Sequence, residues 1–266
     1  MPAFIGARKV ATLSKGVRYD PAAVAFFARL TTPPTTPLKA LYNNVFVSLR
    51  ASGLLTRLDC LKLRAADNAQ AARQNLIQNA YNDLAMNSPS FTVNRGYTGD
   101  GSTSYLDTRF DPLTAPSPNY SRNSASISVY VTTGSISGTM YDAGSSGNSR
   151  IDVNGVGNNI NSRINDTSNP ADPNGGVTSG LFTVSRTDST TRTVYLNGVS
   201  VGSSTAASIA VANANFFSLA QNNAGSGSLF STRRNAAEAI GGGLSAADVA
   251  NLYNAIYPFL AAIGAQ

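Results

Sequence analysis

The sequence predicts a mainly β protein, an antiparallel β-sandwich with helices near both ends, and three observations support that prediction. In Thr191–Gly202 (TRTVYLNGVSVG), two alternating β-branched and aromatic runs flank Asn197-Gly198, a strong signal for a two-residue hairpin turn. From residue 84 onward, short strand-like segments alternate with clusters of Gly, Asn, Ser and Pro. Between residues 20 and 57 and after residue 245, apolar residues instead recur at helical spacing. A chain of 266 residues can bury a full core as one large β domain with an appendage.

Residues 1–19 are predicted to form an extended basic arm, because their apolar residues show no sustained period. Their apolar content exceeds what a solvated tail needs, so we expect the arm to dock on a neighbouring molecule. No apolar run of signal-peptide length follows Arg8 and Lys9, and no stretch approaches the length of a membrane-spanning helix. The candidate assembly contacts of the N-terminal region are basic or large apolar residues: Phe4, Ile5, Arg8, Lys9, Lys15, Arg18, Phe26 and Phe27.

Residues 20–57 are predicted to form a two-helix segment that anchors the protein. Asp20 suits a helix N-cap, because Pro follows it at the first helical position. Thr36 is the predicted cap of a second helix, which runs from Pro37 to about Ser52 and is stopped by Gly53. Residues 31–37 form a stiff Pro/Thr linker between the two helices. The apolar stripes of both helices are packing faces, and the sequence leaves open whether they pack on the β domain or on another subunit.

Residues 58–264 are predicted to form the β domain, which implies a unit that folds without the preceding residues. In its first strand, Leu58–Ala65, alternation places Cys60 on one face and Leu61 and Leu63 on the other. As the single cysteine of the chain, Cys60 is either a plain buried thiol or one half of an intermolecular disulfide.

Local signals also place further elements of this domain. Asn68 suits the cap of a short helix over Ala69–Ile77, and Ser208–Val211 has the pattern of a short strand. The last helix begins at Ser245, which forms a capping-box-like start with Asp248. Proline lacks the backbone donor that a helix interior needs, so the proline at position 258 is expected to kink or end this helix.

Charged residues are sparse and unevenly distributed. They make up 13% of the chain, and the net charge is +6. Residues 1–84 hold eleven Lys or Arg against four Asp, whereas residues 85–266 hold nine Arg against nine Asp and one Glu. The N-terminal excess indicates either a solvated arm or a basic anchor that docks on an acidic protein surface. Arg192, Arg233 and Arg234 are expected to be solvated or in exposed ion pairs, and the alternative is that they anchor an interface.

Four segments resemble, in the right order, the concanavalin A-like (laminin-G-type) jelly-roll domains. The first, FTVNRGYTGDGSTSYLD, resembles the opening of such domains, and SISVYV resembles the central strand that follows. The meander that ends in YLNG resembles their late hairpin, and LSAADVANLYN resembles their C-terminal helix. The layout from residue 58 to residue 264 is similar to domains on structural proteins of tailed bacteriophages.

The resemblance implies a non-enzymatic structural component of a phage particle. Such a protein would assemble in the host cytoplasm, reside in the virion, form homo-oligomers and contact other virion proteins through its N-terminal segment. It would display the jelly roll as a fibre, spike or decoration. The alternative is a glycan-binding receptor module that contacts the host surface. Neither a membrane nor a nucleic acid is an expected partner, because no spanning segment and no basic stripe interleaved with aromatic residues is present.

The residue inventory argues against enzymatic chemistry. The chain has no histidine, one cysteine and one glutamate, Glu238, which excludes Ser-His-Asp triads, His- or Cys-based zinc sites and the paired glutamates of jelly-roll glucanases. No cofactor is therefore expected. A glycan site would have to rely on tyrosines and neighbouring polar groups, and the candidates are Tyr97, Tyr105, Tyr120, Tyr141 and Asp142. A Ca²⁺ site in the Asp142–Asn161 loop is the remaining alternative to ordinary turn formation; its candidate ligands are Asp142, Asp152, Asn154, Asn158 and Asn159.

Overall fold

The structure is a computed structural model, and it describes residues 18–133, 140–155, 159–168, 170–173 and 176–266. Five candidate assembly contacts in the arm and one candidate Ca²⁺ ligand lie outside these residues: Phe4, Ile5, Arg8, Lys9, Lys15 and Asn158. Arg18 is described and is exposed at the surface.

The helices lie close to where the sequence predicts, but Thr35 and not the predicted Thr36 is the N-cap of the second helix, and two helix ends also differ. The helical elements are α1 (Pro21–Phe27), α2 (Thr36–Ala51), a 3₁₀ turn (Leu54–Thr56), α3 (Ala69–Ala72) and α4 (Ala246–Ala262). The Asp20 side chain accepts from the backbone N–H of Ala22, and Ser245 and Asp248 form a complete capping box. However, α3 ends five residues before the predicted Ile77, and α4 continues past Pro258 instead of ending there.

The mainly β prediction is confirmed, because the described strands form two sheets whose ladders are antiparallel apart from one parallel bridge. No strand forms at Ser208–Val211, where one was predicted. The described strands, in chain order, are β1 (Leu58–Leu63), β2 (Leu84–Met86), β3 (Ser90–Thr92), β4 (Gly96–Thr98), β5 (Tyr105–Asp107), β6 (Ala125–Thr133), β7 (Ala143–Ser145), β8 (Ser149–Gly155), β9 (Asn159–Ile164), β10 (Ala171–Pro173), β11 (Gly180–Arg186), β12 (Thr191–Leu196), β13 (Val199–Thr205), β14 (Phe217–Ser218), β15 (Gln221–Asn223), β16 (Ser226–Ser228) and β17 (Arg234–Gly241).

The strand order defines two sheets, which we call sheet A and sheet B. Among the described residues, sheet A has the order β13-β12-β11-β6-β17-β4-β3, and β1 pairs with β17 beside β4. Sheet B has the order β10-β9-β8-β7-β14-β5-β2, and β15 lies beside β7 and pairs with β16. The predicted hairpin joins β12 to β13. Its turn residues Asn197 and Gly198 have φ angles of 51° and 86°, the positive values that a type I′ turn requires.

Apolar side chains from the facing surfaces of the two sheets form the sandwich core. Sheet A contributes alternate residues such as Ile127, Val129 and Val184, and sheet B contributes residues such as Ile151 and Ile160. Because successive side chains of a strand point to opposite faces, the residues between them point away from this core. On sheet A those residues include Tyr130 and Leu181, which belong to a second core.

The second core lies between the outer face of sheet A and the helices α1, α2 and α4. Tyr42 of α2 is central, because its ring centroid lies 5.1 Å from that of Phe26 on α1 and 4.7 Å from that of Phe259 on α4. Leu61 and Leu63 of β1 pack into the same cluster. The two N-terminal helices therefore share a core with the β domain, which resolves the alternative that the sequence left open.

This packing corrects one candidate assembly contact. Phe26 is 0% exposed, because its ring is enclosed by the chain's own aromatic residues, so it is not free to meet another subunit. Phe27 is half-buried and packs edge-on against Tyr19, with ring centroids 5.6 Å apart.

Candidate functional site

The tyrosines that the sequence singled out for glycan contact are buried, and this corrects the prediction. Tyr105 stacks on Phe217 with ring centroids 4.4 Å apart, and Tyr141 lies beneath the Arg150 guanidinium, 4.4 Å from its ring centroid. The Tyr97 hydroxyl donates to the Ala69 carbonyl. Their packing fills the protein interior, so their rings offer no platform to a ligand. The burial extends to all five candidates: Tyr97, Tyr105, Tyr120, Tyr141 and Asp142.

Asp142 and Asp152 do meet, as a shared Ca²⁺ site would require, but an arginine occupies the position between them. The Arg233 Nη1 atom lies 2.6 Å from Asp142 Oδ2 and 2.9 Å from Asp152 Oδ1. Arg233 Nη2 also donates to the Asn154 carbonyl at 2.7 Å. The guanidinium thus supplies the positive charge that a cation would bring. Within the described part of the chain, no group of three or more His, Cys, Asp or Glu residues could hold a metal ion.

This cluster is short of positive charge, and the imbalance acts on Asp152. Burial raises the pKa of the Asp152 carboxyl, the charge of Asp142 raises it further, and Arg233 only partly offsets both. A raised carboxyl pKa is also typical of a catalytic acid. Here, however, Asp142 and Asp152 are each 1% exposed, so no substrate can reach them in this fold.

A second buried cluster holds the only glutamate of the chain. Lys62 on β1 and Arg64 directly after it alternate with Leu61 and Leu63, so their charged ends point into the sandwich. Lys62 Nζ lies 3.0 Å from Asp83 Oδ1, and Arg64 bridges Asp83 Oδ2 at 2.8 Å and Glu238 Oε2 at 3.1 Å. Two cations therefore face two carboxylates, and Glu238 also accepts from the Ser218 hydroxyl.

The expectation of surface arginines and the disulfide alternative are both corrected. Arg192 and Arg233 are each 1% exposed, and Arg192 pairs with Asp172 at 2.8 Å inside the fold. Cys60 is free and fully buried in the sandwich core, and burial raises the pKa of its thiol to about 12. A thiol in that position cannot reach a neighbouring subunit, so the plain buried thiol is the interpretation that the structure supports.

A different tyrosine lines an open pocket, which we call the Tyr81 pocket. The pocket has a volume of about 350 Å³ and lies between the start of β1, the loop that precedes β2 and the Pro116–Asn119 segment. Its lining residues include Tyr81, whose ring is half-buried, together with Gln78, Asn119 and Asp59, of which Asp59 is 4% exposed. An aromatic ring beside a carboxylate and amides is the combination expected of a glycan site.

Asn75 fixes the loop that carries Tyr81. Its buried amide nitrogen donates to the carbonyls of Asp59 and Ala80, both at 3.0 Å, and its Oδ1 atom accepts from the Leu61 N–H at 3.0 Å. The loop is thereby tied directly to β1. Tyr81 has a φ of 58°, an unusual value for a non-glycine residue, and such residues often occur at functional sites.

The Tyr81 ring is also supported from inside the fold. It packs edge-on against Phe110, with ring centroids 5.1 Å apart, and Phe110 belongs to the sandwich core. Burial, and then the nearby Cys60 and Asp59, raise the pKa of the Tyr81 hydroxyl, so it stays protonated at neutral pH. The pocket therefore presents a neutral phenol on a ring that the core holds in place.

Backbone donors hold the Asp59 carboxylate in place. The N–H groups of Asn119 and Tyr120 donate to its two oxygens at 2.8 Å and 2.9 Å, and the Asn119 amide adds a third bond at 3.2 Å. Burial raises the pKa of Asp59 despite these bonds, which act to lower it. Oδ1 accepts two of these three bonds and Oδ2 accepts one, so Oδ2 is the oxygen that keeps acceptor capacity for a further donor.

Asn119 also borders a second depression of about 450 Å³. Its lining includes Arg57, Thr187 and Asp248, and Arg57 Nη1 lies 2.5 Å from Asp248 Oδ2. Asn119 is thus a shared wall of two adjoining cavities. Sequence reasoning missed both, because Tyr81 lies in an irregular loop and Asp59 and Asn119 are 60 residues apart in the chain.

No protein-family profile and no curated protein sequence matches the chain. Among solved structures, the binding domain of paraclostridial mosquitocidal protein 1 superposes with a TM-score of 0.50 at 13% identity, over 77% of this chain and 53% of that one. The binding domain of botulinum neurotoxin serotype D gives 0.48 at 11% identity, over 75% and 52%. Domain 4 of a GH43 extracellular arabinanase from Geobacillus stearothermophilus, solved with arabinotriose, gives 0.42 at 16% identity, over 74% and 98%.

These similarities concern the fold. The chain spans about half the length of the first two structures, 53% and 52% respectively. At 13% identity, the mosquitocidal-protein domain shows that this chain shares a β-sandwich architecture with it. None of the described helices is both long and apolar enough to cross a membrane.

Proposed function

We propose that this protein is a non-catalytic carbohydrate-binding module and that the Tyr81 pocket is its site. The observation that carries the proposal is the placement of the core-supported Tyr81 ring beside the Asp59 carboxylate and the Asn119 and Gln78 amides around a pocket of about 350 Å³. That volume lies within the usual range for small-ligand sites. The similar domain of the mosquitocidal protein is itself a binding domain.

Each group has a role that suits a sugar. An aromatic ring packs well against the apolar C–H face of a pyranose or furanose. Sugar hydroxyls can donate to the free acceptor position of Asp59 Oδ2, and they can accept from the Gln78 amide N–H that does not donate to the Asp59 carbonyl. Because backbone N–H groups already orient the Asp59 carboxylate, binding costs little ordering there.

Three features of the described residues support a non-catalytic role. The single glutamate is buried in ion pairs with Arg64, and the two neighbouring aspartates of the Arg233 cluster are enclosed. A glycosidase needs two carboxyl groups on either side of an accessible bond. In the Tyr81 pocket, Asp59 is the only lining residue that carries a carboxylate.

A glycan array probed with three purified proteins tests the proposal. The wild type should bind a defined set of glycans, and Tyr81→Ala should bind the same set about tenfold more weakly or worse, because the stacking surface is lost. Tyr81→Phe keeps the ring and should retain most of the binding. Alanine keeps the Cβ atom of Tyr81, so the variant carries a similar backbone cost at positive φ.

Tyr257→Ala is the matched control. Tyr257 is 36% exposed on α4 and stacks on Tyr253 with ring centroids 5.1 Å apart, the same separation as for Tyr81 and Phe110. Loss of this ring removes a comparable aromatic contact far from the pocket lining. Array binding that Tyr257→Ala weakens as much as Tyr81→Ala would refute the assignment, as would a wild type that binds no glycan.

We further propose that the module is a structural component of a phage particle, with residues 1–19 as its attachment point. The proposal is supported by the basic and apolar residues of the arm, by the sparse surface charge and by the resemblance described above. The burial of the α1 and α2 apolar faces against sheet A favours the arm over these helices as the attachment point.

Deletion of residues 2–17 tests this second proposal in the assembled particle. The variant should keep the thermal unfolding transition of the full chain, because α1, α2 and α4 remain in place, but it should be missing from purified particles analysed by mass spectrometry. Normal incorporation of the shortened protein would refute attachment through the arm.

A further inference from the structure

The depression that adjoins the Tyr81 pocket, which we call the Arg57 depression, has a lining of a different kind. Its volume is about 450 Å³, and its lining includes Arg57, Asn119, Ser124, Thr187, Gly242 and Asp248. No aromatic residue is among the described residues that line it. The Tyr81 pocket, in contrast, is lined by an aromatic ring and by apolar residues such as Ile77. The two cavities therefore offer a stacking surface and a hydrogen-bonding surface side by side.

A short, tightly packed stretch of backbone separates the two cavities. Arg57 lines the depression, whereas Leu58 and Asp59, the next residues in the chain, line the Tyr81 pocket, and Asn119 lines both. The Gly242 N–H donates to the Arg57 carbonyl at 3.0 Å. A Cβ atom at Gly242 would lie 3.2 Å from the Asn119 carbonyl oxygen, closer than most Cβ contacts. Packed backbone therefore fixes the separation of the two cavities.

The depression has hydrogen-bonding groups that a ligand can reach. The Arg57 side chain is 52% exposed and uses its Nη1 atom on Asp248, whereas its Nε and Nη2 atoms bond no described residue. Asn119 is exposed, its Nδ2 atom donates to Asp59, and its Oδ1 atom accepts from no described residue. Because both side chains are open to solvent, a ligand only has to displace water from them.

The charges around the depression favour a neutral ligand. Arg57 Nη1 lies 2.5 Å from Asp248 Oδ2, so the positive charge of Arg57 already has a counter-charge. A ligand carboxylate or sulfate would be attracted by Arg57 but repelled by Asp248 and by Asp59 in the adjoining pocket. A ligand hydroxyl avoids this repulsion, because it can accept from the guanidinium and donate to Asn119 Oδ1.

We propose that the two cavities are adjacent subsites for one neutral oligosaccharide. One sugar ring stacks on Tyr81, and the next ring lies in the Arg57 depression, where its hydroxyls bond Arg57 and Asn119. The inference rests on the proposed function and deepens it, because it makes the ligand a chain of at least two sugar units. A ring tethered to the one on Tyr81 is at high effective concentration in the depression, so the second ring adds affinity.

The length of the sugar chain tests the inference on the full-length protein. The probes form three series, each titrated into ¹⁵N-labelled wild type: methyl α-L-arabinofuranoside with arabinobiose, methyl β-D-glucopyranoside with cellobiose, and methyl β-D-galactopyranoside with galactobiose. In at least one series, the disaccharide should bind about tenfold more tightly than the methyl glycoside. It should shift the amides of Thr187 and Gly242 as well as those of Gln78 and Tyr81.

The inference would be overturned if no disaccharide binds more tightly than its methyl glycoside. It would also be overturned if the amides of Thr187 and Gly242 show no saturable shift with any disaccharide, because the second ring would then lie outside the depression.

Arg57→Ala tests the depression itself. It should weaken disaccharide binding about tenfold, because a hydrogen bond from a charged donor is lost. Binding of the methyl glycoside should stay within about twofold of wild type, because one ring occupies only the Tyr81 pocket.

Arg50→Ala is the matched control. Arg50 is 53% exposed in its ion pair with Asp20, against 52% for Arg57 in its pair with Asp248, and it lines neither cavity. Any general effect of losing an exposed ion pair should appear in both variants. Equal disaccharide affinity of the two variants would overturn the inference.

The outcomes also separate this inference from the proposed function. If a methyl glycoside shifts the Gln78 and Tyr81 amides, Tyr81→Ala abolishes its binding, and the disaccharide gains nothing, the Tyr81 pocket stands and the oligosaccharide inference fails. If no probe produces a saturable shift at the Gln78 and Tyr81 amides, the assignment of the Tyr81 pocket fails and this inference fails with it.

Discussion

Both the outer face of sheet A and the buried charge clusters are shielded from solvent, but different interactions stabilise them: hydrophobic burial on the outer face and ion pairs in the clusters. On the outer face, Leu61, Tyr130 and Leu181 are covered by helices and need no specific partner, because hydrophobic burial is not directional. In the clusters, each buried charge depends on a named counter-charge, as Arg64 does on Asp83 and Glu238. The apolar face should therefore lose stability in proportion to the area exposed, whereas a cluster should fail when a single partner is removed.

The balance of charge also distinguishes the two clusters from each other. Around Lys62, burial acts to lower the pKa of the ammonium group, but the carboxylates of Asp83 and Glu238 outweigh it and the net shift is upward. Around Arg233, one cation faces two carboxylates, and the pKa of Asp152 rises. A balanced cluster keeps its groups charged, whereas an acid-rich one favours protonation of a carboxyl group.

Deletion of residues 2–57 should have the largest effect, because it strips α1 and α2 from the outer face of sheet A. Exposure of these core residues to water should lower the free energy of unfolding by about 5–15 kcal/mol, which is the stability of a typical domain. We expect a fragment that aggregates or melts without cooperativity in circular dichroism. Deletion of residues 2–17 is the control and should melt as the full chain does. A fragment that starts at residue 58 and unfolds cooperatively at the full-length temperature would show that the helices are dispensable.

Arg64→Ala should have the next largest effect, because it leaves Asp83 and Glu238 with less positive charge in a buried site. Loss of one partner of a buried ion pair typically costs about 3–5 kcal/mol, which urea denaturation can measure. The control is Arg57→Ala, since Arg57 is half-exposed in its pair with Asp248 and should cost no more than about 1 kcal/mol. Equal losses of stability in the two variants would contradict this expectation, because they would show that a buried ion pair contributes no more than an exposed one.

Asp152→Asn tests the acid-rich cluster through pH. The folded state raises the pKa of Asp152, so the stability that this group contributes is complete below its unfolded value of about 3.9 and is lost as pH rises through its folded value. The asparagine variant does not titrate. Its stability relative to wild type should therefore increase from about pH 4 towards neutral pH, by at least about 1.4 kcal/mol. A difference that stays flat with pH would show that Asp152 is not perturbed.

Arg50→Ala should have the smallest effect, although its ion pair with Asp20 has good geometry. The Arg50 Nε–Asp20 Oδ2 distance is 2.6 Å, but the arginine side chain is 53% exposed. Exposed pairs contribute about 0–1 kcal/mol and weaken with salt. The pair lowers the pKa of Asp20, so the small contribution should be present at neutral pH and fade as the carboxylate is protonated in acid. If Arg50→Ala loses as much stability as Arg64→Ala, exposed and buried ion pairs do not differ in the way we expect.

The sequence was most informative where structure depends on neighbours in the chain. The Asn197-Gly198 turn, the Asp20 cap and the Ser245–Asp248 capping box each involve residues a few positions apart, and all formed as predicted. The alternation in β1 also predicted the face that carries Leu61 and Leu63.

The charged interior could not be predicted in the same way. Arg64 and Glu238 are 174 residues apart, so nothing near either residue signals that its counter-charge will meet it in the core. Composition suggested exposed arginines because an isolated charge is costly to bury. The Tyr81 pocket could not be predicted for the same reason, because Asn119 and Asp59 are distant in the chain and meet only in the folded protein. Both features arise from tertiary pairing, which local patterns do not encode.

The most direct test of the account is a calorimetric titration of the best array glycan into wild type, Tyr81→Ala and Tyr257→Ala. Each sample is then analysed by mass spectrometry for intact glycan. We predict that wild type and Tyr257→Ala bind with the same Kd, that Tyr81→Ala binds about tenfold more weakly or worse, and that the glycan is recovered uncleaved. Equal affinity of wild type and Tyr81→Ala, or cleavage of the glycan by wild type, would contradict a carbohydrate-binding module built on the Tyr81 pocket.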